Sequence, residues 1–141
     1  MSEYRYSVSL RFRHPSRLPA EITAALQIEP DRSWDVGAPR KTPTGTPLAG
    51  FYHDNYWIAR LADGSSVDQD LPNAIGSVLD RLDSRKAFFQ EYAASGGSSE
   101  IFTGWFLADG NSGDVLKHGL LARLADFRLD LSLDVYPTDQ R

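Results

Sequence analysis

The sequence predicts an α+β fold, with a single-layer, mainly antiparallel sheet carrying helices on one face. Two segments support most of that expectation. Near the start, Tyr4, Tyr6, Val8, Leu10 and Phe12 alternate with Arg5, Ser7, Ser9, Arg11 and Arg13. Near the end, Leu129, Leu131, Leu133 and Val135 alternate with Asp130, Ser132 and Asp134. Period two of this kind describes a strand with one buried and one wet face. Between them, Leu71, Ile75, Val78, Leu79, Leu82, Phe89, Tyr92 and Ala93 form one apolar stripe at helical spacing. The element order is strand-helix-strand, long helix, strand-helix-strand, which points to a ferredoxin-like, split βαβ arrangement.

The elements follow from local chemistry. The first strand stops at "HPS", because Pro15 lacks the donor a ladder needs. Pro19 suits a first helical turn, and Leu18, Ile22, Ala25 and Leu26 mark its apolar face before Pro30 ends it. A strand is expected from Phe51 to Leu61, with poor alternation, since large side chains fall on both parities. Asp70 offers an N-cap before Leu71-Pro72, Ser84 divides or kinks the long helix, and Gly96-Gly97 stops it. A strand over Ile101–Leu107 and a helix marked by Leu116, Leu120, Leu124 and Phe127 precede the last strand, which Pro137 closes. Arginines on the wet face of the first strand and aspartates on that of the last suggest antiparallel neighbours. Arg11 would then contact Asp130 or Asp134.

Bulk properties exclude several classes. A chain of 141 residues with 41% hydrophobic and 24% charged residues is expected to be one globular domain, residues 1–141. A net charge of −4 argues against a nucleic-acid partner. The absence of cysteine removes thiol catalysis, zinc thiolate sites and disulfides. "MSEYRYSVSLRFRHPS" has no apolar signal core, and no run is long enough to span a bilayer, so a cytoplasmic protein with no membrane partner is expected.

The chemically richest stretch is "RSWDVGAPRKTPTGTPLAGFYHDNYW", Arg32 to Trp57. Its "RKTPTGTP" resembles a phosphate loop in composition but lacks the G-x-x-x-x-G-K-[ST] spacing, and proline removes amides that a phosphate would need. The plainer reading is a solvated turn; the sharper one is an anion or peptide contact through Arg40, Lys41 and Thr42. Trp34, Tyr52, Tyr56 and Trp57 form an aromatic cluster of the kind found at binding hot spots and in cores alike. Trp34 is expected to anchor the loop, and Trp57, near Arg60, to wall a pocket. Phe88 falls off the long helical stripe, which would make it a partner contact if exposed.

His14, His53 and His118 have no metal-ligand spacing, and no G-x-S-x-G elbow exists, so no metal, cofactor or catalytic residue is assigned.

The ordered set "RHPS", "PAEITAAL", "EPDRSW", "G-x-P-R-x-T-P-x-G" and a "Y-W" strand, within Ser9–Trp57, resembles the bacterial family of domains of unknown function number 4279. The rest of the chain shares only element order with it. Carried over residue by residue, Trp34, Gly37, Pro39, Arg40, Thr42, Gly45 and Trp57 match the motif. The resemblance brings no activity, cofactor or catalytic group with it. By type, small bacterial domains of this kind are similar to immunity proteins, which bind toxins.

The function these observations favour is a non-catalytic binding domain. It would recognise a protein or a small anionic ligand through Arg32, Trp34, Arg40, Lys41, Thr42, Tyr56, Trp57 and Arg60. A homodimer or other self-associating domain, pairing through a free edge strand, is the alternative. A hydrolase using His53 or Asp54 beside Arg60 ranks last.

Overall fold

The long strands and the helices are those that the apolar periodicities predict, but three short strands arise in the stretch expected to be irregular, and the sheet order is not the expected one. The structure, a computed structural model, describes residues 3–137. Along the chain run β1 (Tyr4–His14), α1 (Pro19–Leu26), β2 (Arg32–Trp34), β3 (Pro39–Lys41), β4 (Pro47–Phe51) and β5 (Asn55–Ser65). Then come α2 (Leu71–Leu82), α3 (Lys86–Ala94), β6 (Ser98–Leu107), α4 (His118–Asp126) and β7 (Leu129–Tyr136).

Five strands form one sheet in the order β2-β5-β1-β6-β7, and β3 and β4 form a separate two-stranded sheet. Every neighbouring pair in the large sheet is antiparallel except β6 and β7. β5 and β6 flank β1 and both run against it, so the α2–α3 connection between them is one split βαβ unit. The ferredoxin-like expectation that the last strand lies beside the first is overturned. β6 intervenes, and β7 is placed outside it by a parallel crossover through α4. The carboxylate opposite Arg11 is therefore Glu100 of β6, not Asp130 or Asp134.

One apolar cluster lies between the sheet and the helices. It takes Tyr4, Tyr6, Val8, Leu10 and Phe12 from β1, Ile22 and Leu26 from α1, the stripes of α2 and α3, and Leu124 from α4. Phe88 is partly buried against that cluster rather than free. Asp70 caps α2 by accepting the Asn73 N–H at 2.9 Å. The long helical stripe breaks at Asp83–Arg85, a single 3-10 turn around Ser84, as its sequence suggests. At the start of α1 the Glu21 carboxylate accepts the Leu18 N–H at 3.0 Å.

Two local features differ from expectation. The strand expected from Phe51 to Leu61 is β5, which begins later and runs to Ser65, while Phe51 ends β4. Its poor alternation also has a cause. Ser9 pairs with Arg60 but Val8 with Ala62, so Leu61 is an extra residue in a bulge that reverses the parity of Ala62 and the residues beyond it. No helix among the described residues is long and apolar enough to cross a membrane.

Candidate functional site

Helices cover one face of the sheet, and the other face is built in rows that the strand register dictates. Trp34, Tyr56, Arg13 and Ser98 are lateral neighbours across β2, β5, β1 and β6. The next row reads Arg32, Ile58, Arg11, Glu100, Asp130, and the one after it Arg60, Ser9, Phe102, Ser132.

Aromatic rings and guanidinium groups interleave on this face. The Trp34 indole is sandwiched between Tyr52 and Tyr56, with centroids 4.1 Å from each and interplanar angles of 11° and 16°. Arg13 lies 4.5 Å over the Tyr56 ring, Arg32 5.0 Å over Trp34 and Arg11 4.3 Å over Phe102. Arg11 also pairs with Glu100, whose second oxygen accepts the Ser132 hydroxyl. Burial pulls the Glu100 carboxyl up, but the Ser132 and Arg11 hydrogen bonds outweigh it and hold the group below its ordinary value. At the far end of β6 and β7, Phe106 stacks on Tyr136 at 4.7 Å.

The β3–β4 hairpin projects from this stack, and Tyr52 fastens it. The Tyr52 hydroxyl accepts the Lys41 N–H at 3.2 Å and donates to the Lys41 carbonyl at 3.0 Å. Arg32 donates to the same carbonyl at 2.7 Å. Tyr52 exchanges backbone hydrogen bonds with Gly37 and Ala38 at the hairpin base. At the tip, the Thr42 hydroxyl accepts the Thr46 N–H at 3.0 Å, and Gly45 takes a φ of +93°, which glycine tolerates best. The run "G-x-P-R-x-T-P-x-G" is therefore mostly a recipe for this hairpin.

The structure brings Arg32, Trp34 and Tyr56 together on the open face and ties Lys41 to them through Tyr52. Arg40 sits on the hairpin, donating to the Ala49 carbonyl at 3.1 Å, and Thr42 shapes its tip. Arg60 is exposed on the open face, with its backbone N–H bound to Asp31 at 2.6 Å. Trp57 is elsewhere. It is fully buried on the helix side, edge-on to Phe12, and its indole N–H donates to Thr23 of α1 at 3.0 Å. Adjacent strand residues face opposite ways, so Tyr56 on the open face, where Trp34 and Arg13 cover it, requires Trp57 on the helix side.

Arg11 and Arg13 lie on this face, as the alternation of β1 predicts, and Phe102 of β6, which the sequence does not single out, joins them. The odd-numbered parity of β1 was visible, but which strand lay opposite was not. His53 and Asp54 do share an open hollow of about 290 Å³ with Arg13 and Ser98, and Arg13 approaches Asp54 to 3.5 Å, while Arg60 is not among its lining residues. Among the described residues, no group of three or more His, Asp or Glu side chains converges as a metal site.

No curated protein and no solved structure matches this chain. Its membership rests on a family model described as a domain of unknown function, which matches residues 2–138, nearly the whole chain, and thus takes in the hairpin, the Trp34 stack and the sheet. The chain belongs to the DUF4279 family.

Proposed function

We propose that this chain is a non-catalytic binding domain that docks an acidic protein surface on the β3–β4 hairpin and the adjoining open face of the sheet. The observation that carries this reading is the hairpin itself. Every residue of β3 and β4 is exposed, including Leu48 and Phe51, so the arm adds little to the core. Fixing a backbone costs about 1–2 kcal/mol per residue. A segment that recovers so little by burial, yet is fastened by Tyr52, Arg32 and Trp34, fits a recognition element ordered in advance.

Its charge supports an acidic partner. Residues 36–52 contain Arg40 and Lys41 and no carboxylate, on a chain whose net charge is −4. Neither cation has a carboxylate within salt-bridge distance among the described residues. Prolines at 39, 43 and 47 thin out the amides a small anion would need, which favours a broad protein surface.

Affinity capture from the native host's lysate tests this. Wild type and an Arg40→Glu/Lys41→Glu variant of equal thermal stability are compared, and the variant is expected to lose one or more acidic partners. Identical captured sets would sink the proposal.

A further inference from the structure

The opposite margin of the sheet carries a second surface, independent of the hairpin. Among the described residues β7 pairs only with β6, through a register with no bulge from Ser99–Leu129 to Phe106–Tyr136. Among the described residues, no backbone group of 129–136 is hydrogen-bonded outside the sheet. Its helix-side row grows more exposed along the strand. Leu129 is buried, Leu131 half-buried, Leu133 48% exposed and Val135 55% exposed. Leu121 on α4 is exposed as well. An edge that is long, straight and apolar on one side is a template for another strand. An internal proline, a lysine and a bulge, three devices that blunt such an edge, do not occur within 129–136, and its only charges, Asp130 and Asp134, stand on the open face.

We propose that β7 pairs antiparallel with β7 of a second copy of this chain, about a two-fold axis through Leu133, joining two five-stranded sheets into one. The side chains of β7 select both partner and register. Directly opposed residues share a face, so each apolar residue must meet an apolar one. With Leu133 opposite itself, Leu131 faces Val135 of the second copy, Ser132 faces Asp134, and Asp130 faces Tyr136. No aspartate then lies directly opposite another carboxylate, while the Ser132 hydroxyl stays donated to Glu100 and that of Tyr136 to Asp134 of its own strand. Centring the axis on Ser132 sets Asp130 against Asp134, and centring it on Asp134 sets that residue against itself; both place like charges opposite one another. Centring it on Leu131 leaves Val135 and Tyr136 unpaired, and on the other side the ladder meets Arg128, whose φ of +61° ends the extended backbone. Only the Leu133 register uses 130–136 from both copies without repulsion. At its outer end Leu129 meets Pro137, which has no donor to extend the pairing.

Sedimentation of the full chain, with cysteine cross-linking, tests this. The chain has no cysteine, so Leu133→Cys introduces a single thiol at the axis. Opposed Cα atoms of an antiparallel pair lie about 4.5–5.5 Å apart, within disulfide reach. Wild type is expected to sediment as a dimer. Leu133→Cys is expected to oxidise to a covalent dimer, while Ser77→Cys, exposed on α2, does not. Leu133→Lys and Leu133→Glu should each weaken the dimer by about tenfold or more, and an equimolar mixture of the two should recover it. Because Leu133 is half exposed, both variants should keep the wild-type circular dichroism spectrum; if either unfolds, the cysteine result decides alone. A wild-type monomer at all accessible concentrations overturns the proposal, as does a dimer that Leu133→Lys leaves intact. Equal cross-linking of Leu133→Cys and Ser77→Cys does so too.

Discussion

Arg11 on β1 and Glu100 on β6 pair across the centre of the open face, each side chain about one-fifth exposed, at 21%. Glu100 also accepts the Ser132 hydroxyl of β7, so a single carboxylate links three adjacent strands. Glu100→Gln is expected to cost roughly 1–2 kcal/mol at neutral pH, above the median for surface pairs because two hydrogen bonds to a carboxylate are weakened together. The pH dependence has a definite sign. The folded Glu100 titrates below its ordinary value of 4.5, so its contribution is complete above that pH and fades as pH falls through the lower, folded value. Urea unfolding between pH 3 and 7 checks both, with Glu100→Gln expected to show a shallower acid limb; equal slopes would refute it.

His14 predicts a second, higher pH window. The ring is buried edge-on to Tyr92, its Nδ1 accepts the Ser16 and Arg17 N–H groups at 3.0 Å each, and Nε2 lies 2.9 Å from the Ser95 hydroxyl. Two donors at Nδ1 require the neutral ring with its proton on Nε2. Burial, then the Arg17 charge, lowers its pKa below 6.5, against smaller opposing effects of Glu21, Ser95 and Glu91. Below 6.5 the unfolded chain takes up a proton that the folded ring resists, so stability falls as pH drops through that value toward the folded pKa. Proton NMR of the His14 ring is expected to report a midpoint under 6.5. A midpoint above it would contradict the hydrogen-bond assignment.

What could be read from residues alone depended on whether one face of an element was buried. β1 and α2 show their periodicity because one side of each meets the core, and β7 shows its own because its helix-side row stays apolar to Val135 although only Leu129 and Leu131 reach the core. The neighbours of β1 were not legible. An arginine at position 11 calls for an acid across the strand, and Asp130, Asp134 and Glu100 satisfy that demand equally well in sequence. β5 concealed its faces because the bulge at Leu61 shifts the parity midway. That shift does not affect Tyr56 and Trp57, where the difficulty was different. Two large aromatics in succession must face apart, and which of them meets the helices depends on pairing with β1, a contact distant in sequence.

Gly97 sits where the chain passes closest to the buried rings of His14 and Tyr92. A Cβ there would lie 2.3 Å from the Tyr92 ring and 2.7 Å from His14. Both rings are held by the core, so neither can swing away as a surface side chain would. Gly97→Ala is expected to destabilise the fold by about 1–3 kcal/mol through overpacking. Gly119→Ala is the control. Its Cβ meets nothing within 4 Å inside α4, and it should stabilise by several tenths of a kcal/mol. Thermal melts of the two variants should move in opposite directions.

The same substitution at the two tryptophans should have unequal effects. The Trp57 indole is fully buried and donates to Thr23, which connects β5 to α1. Trp57→Phe removes that bond and leaves a void beside Phe12, so a loss of roughly 2–4 kcal/mol is expected. The Trp34 indole is only partly buried, and its Nε1–H is shielded with no hydrogen-bond partner among the described residues. Phenylalanine would retain a stacked ring between Tyr52 and Tyr56 while removing an unsatisfied donor, and the global cost should stay below about 1 kcal/mol. Trp34→Ala differs again, since it removes the stack that holds the hairpin. Cleavage by trypsin at Arg40 and Lys41 should then accelerate at nearly unchanged unfolding free energy, because local opening of the arm does not require the core to open. Equal destabilisation by Trp34→Phe and Trp57→Phe would contradict the assignment of the two rings to opposite faces.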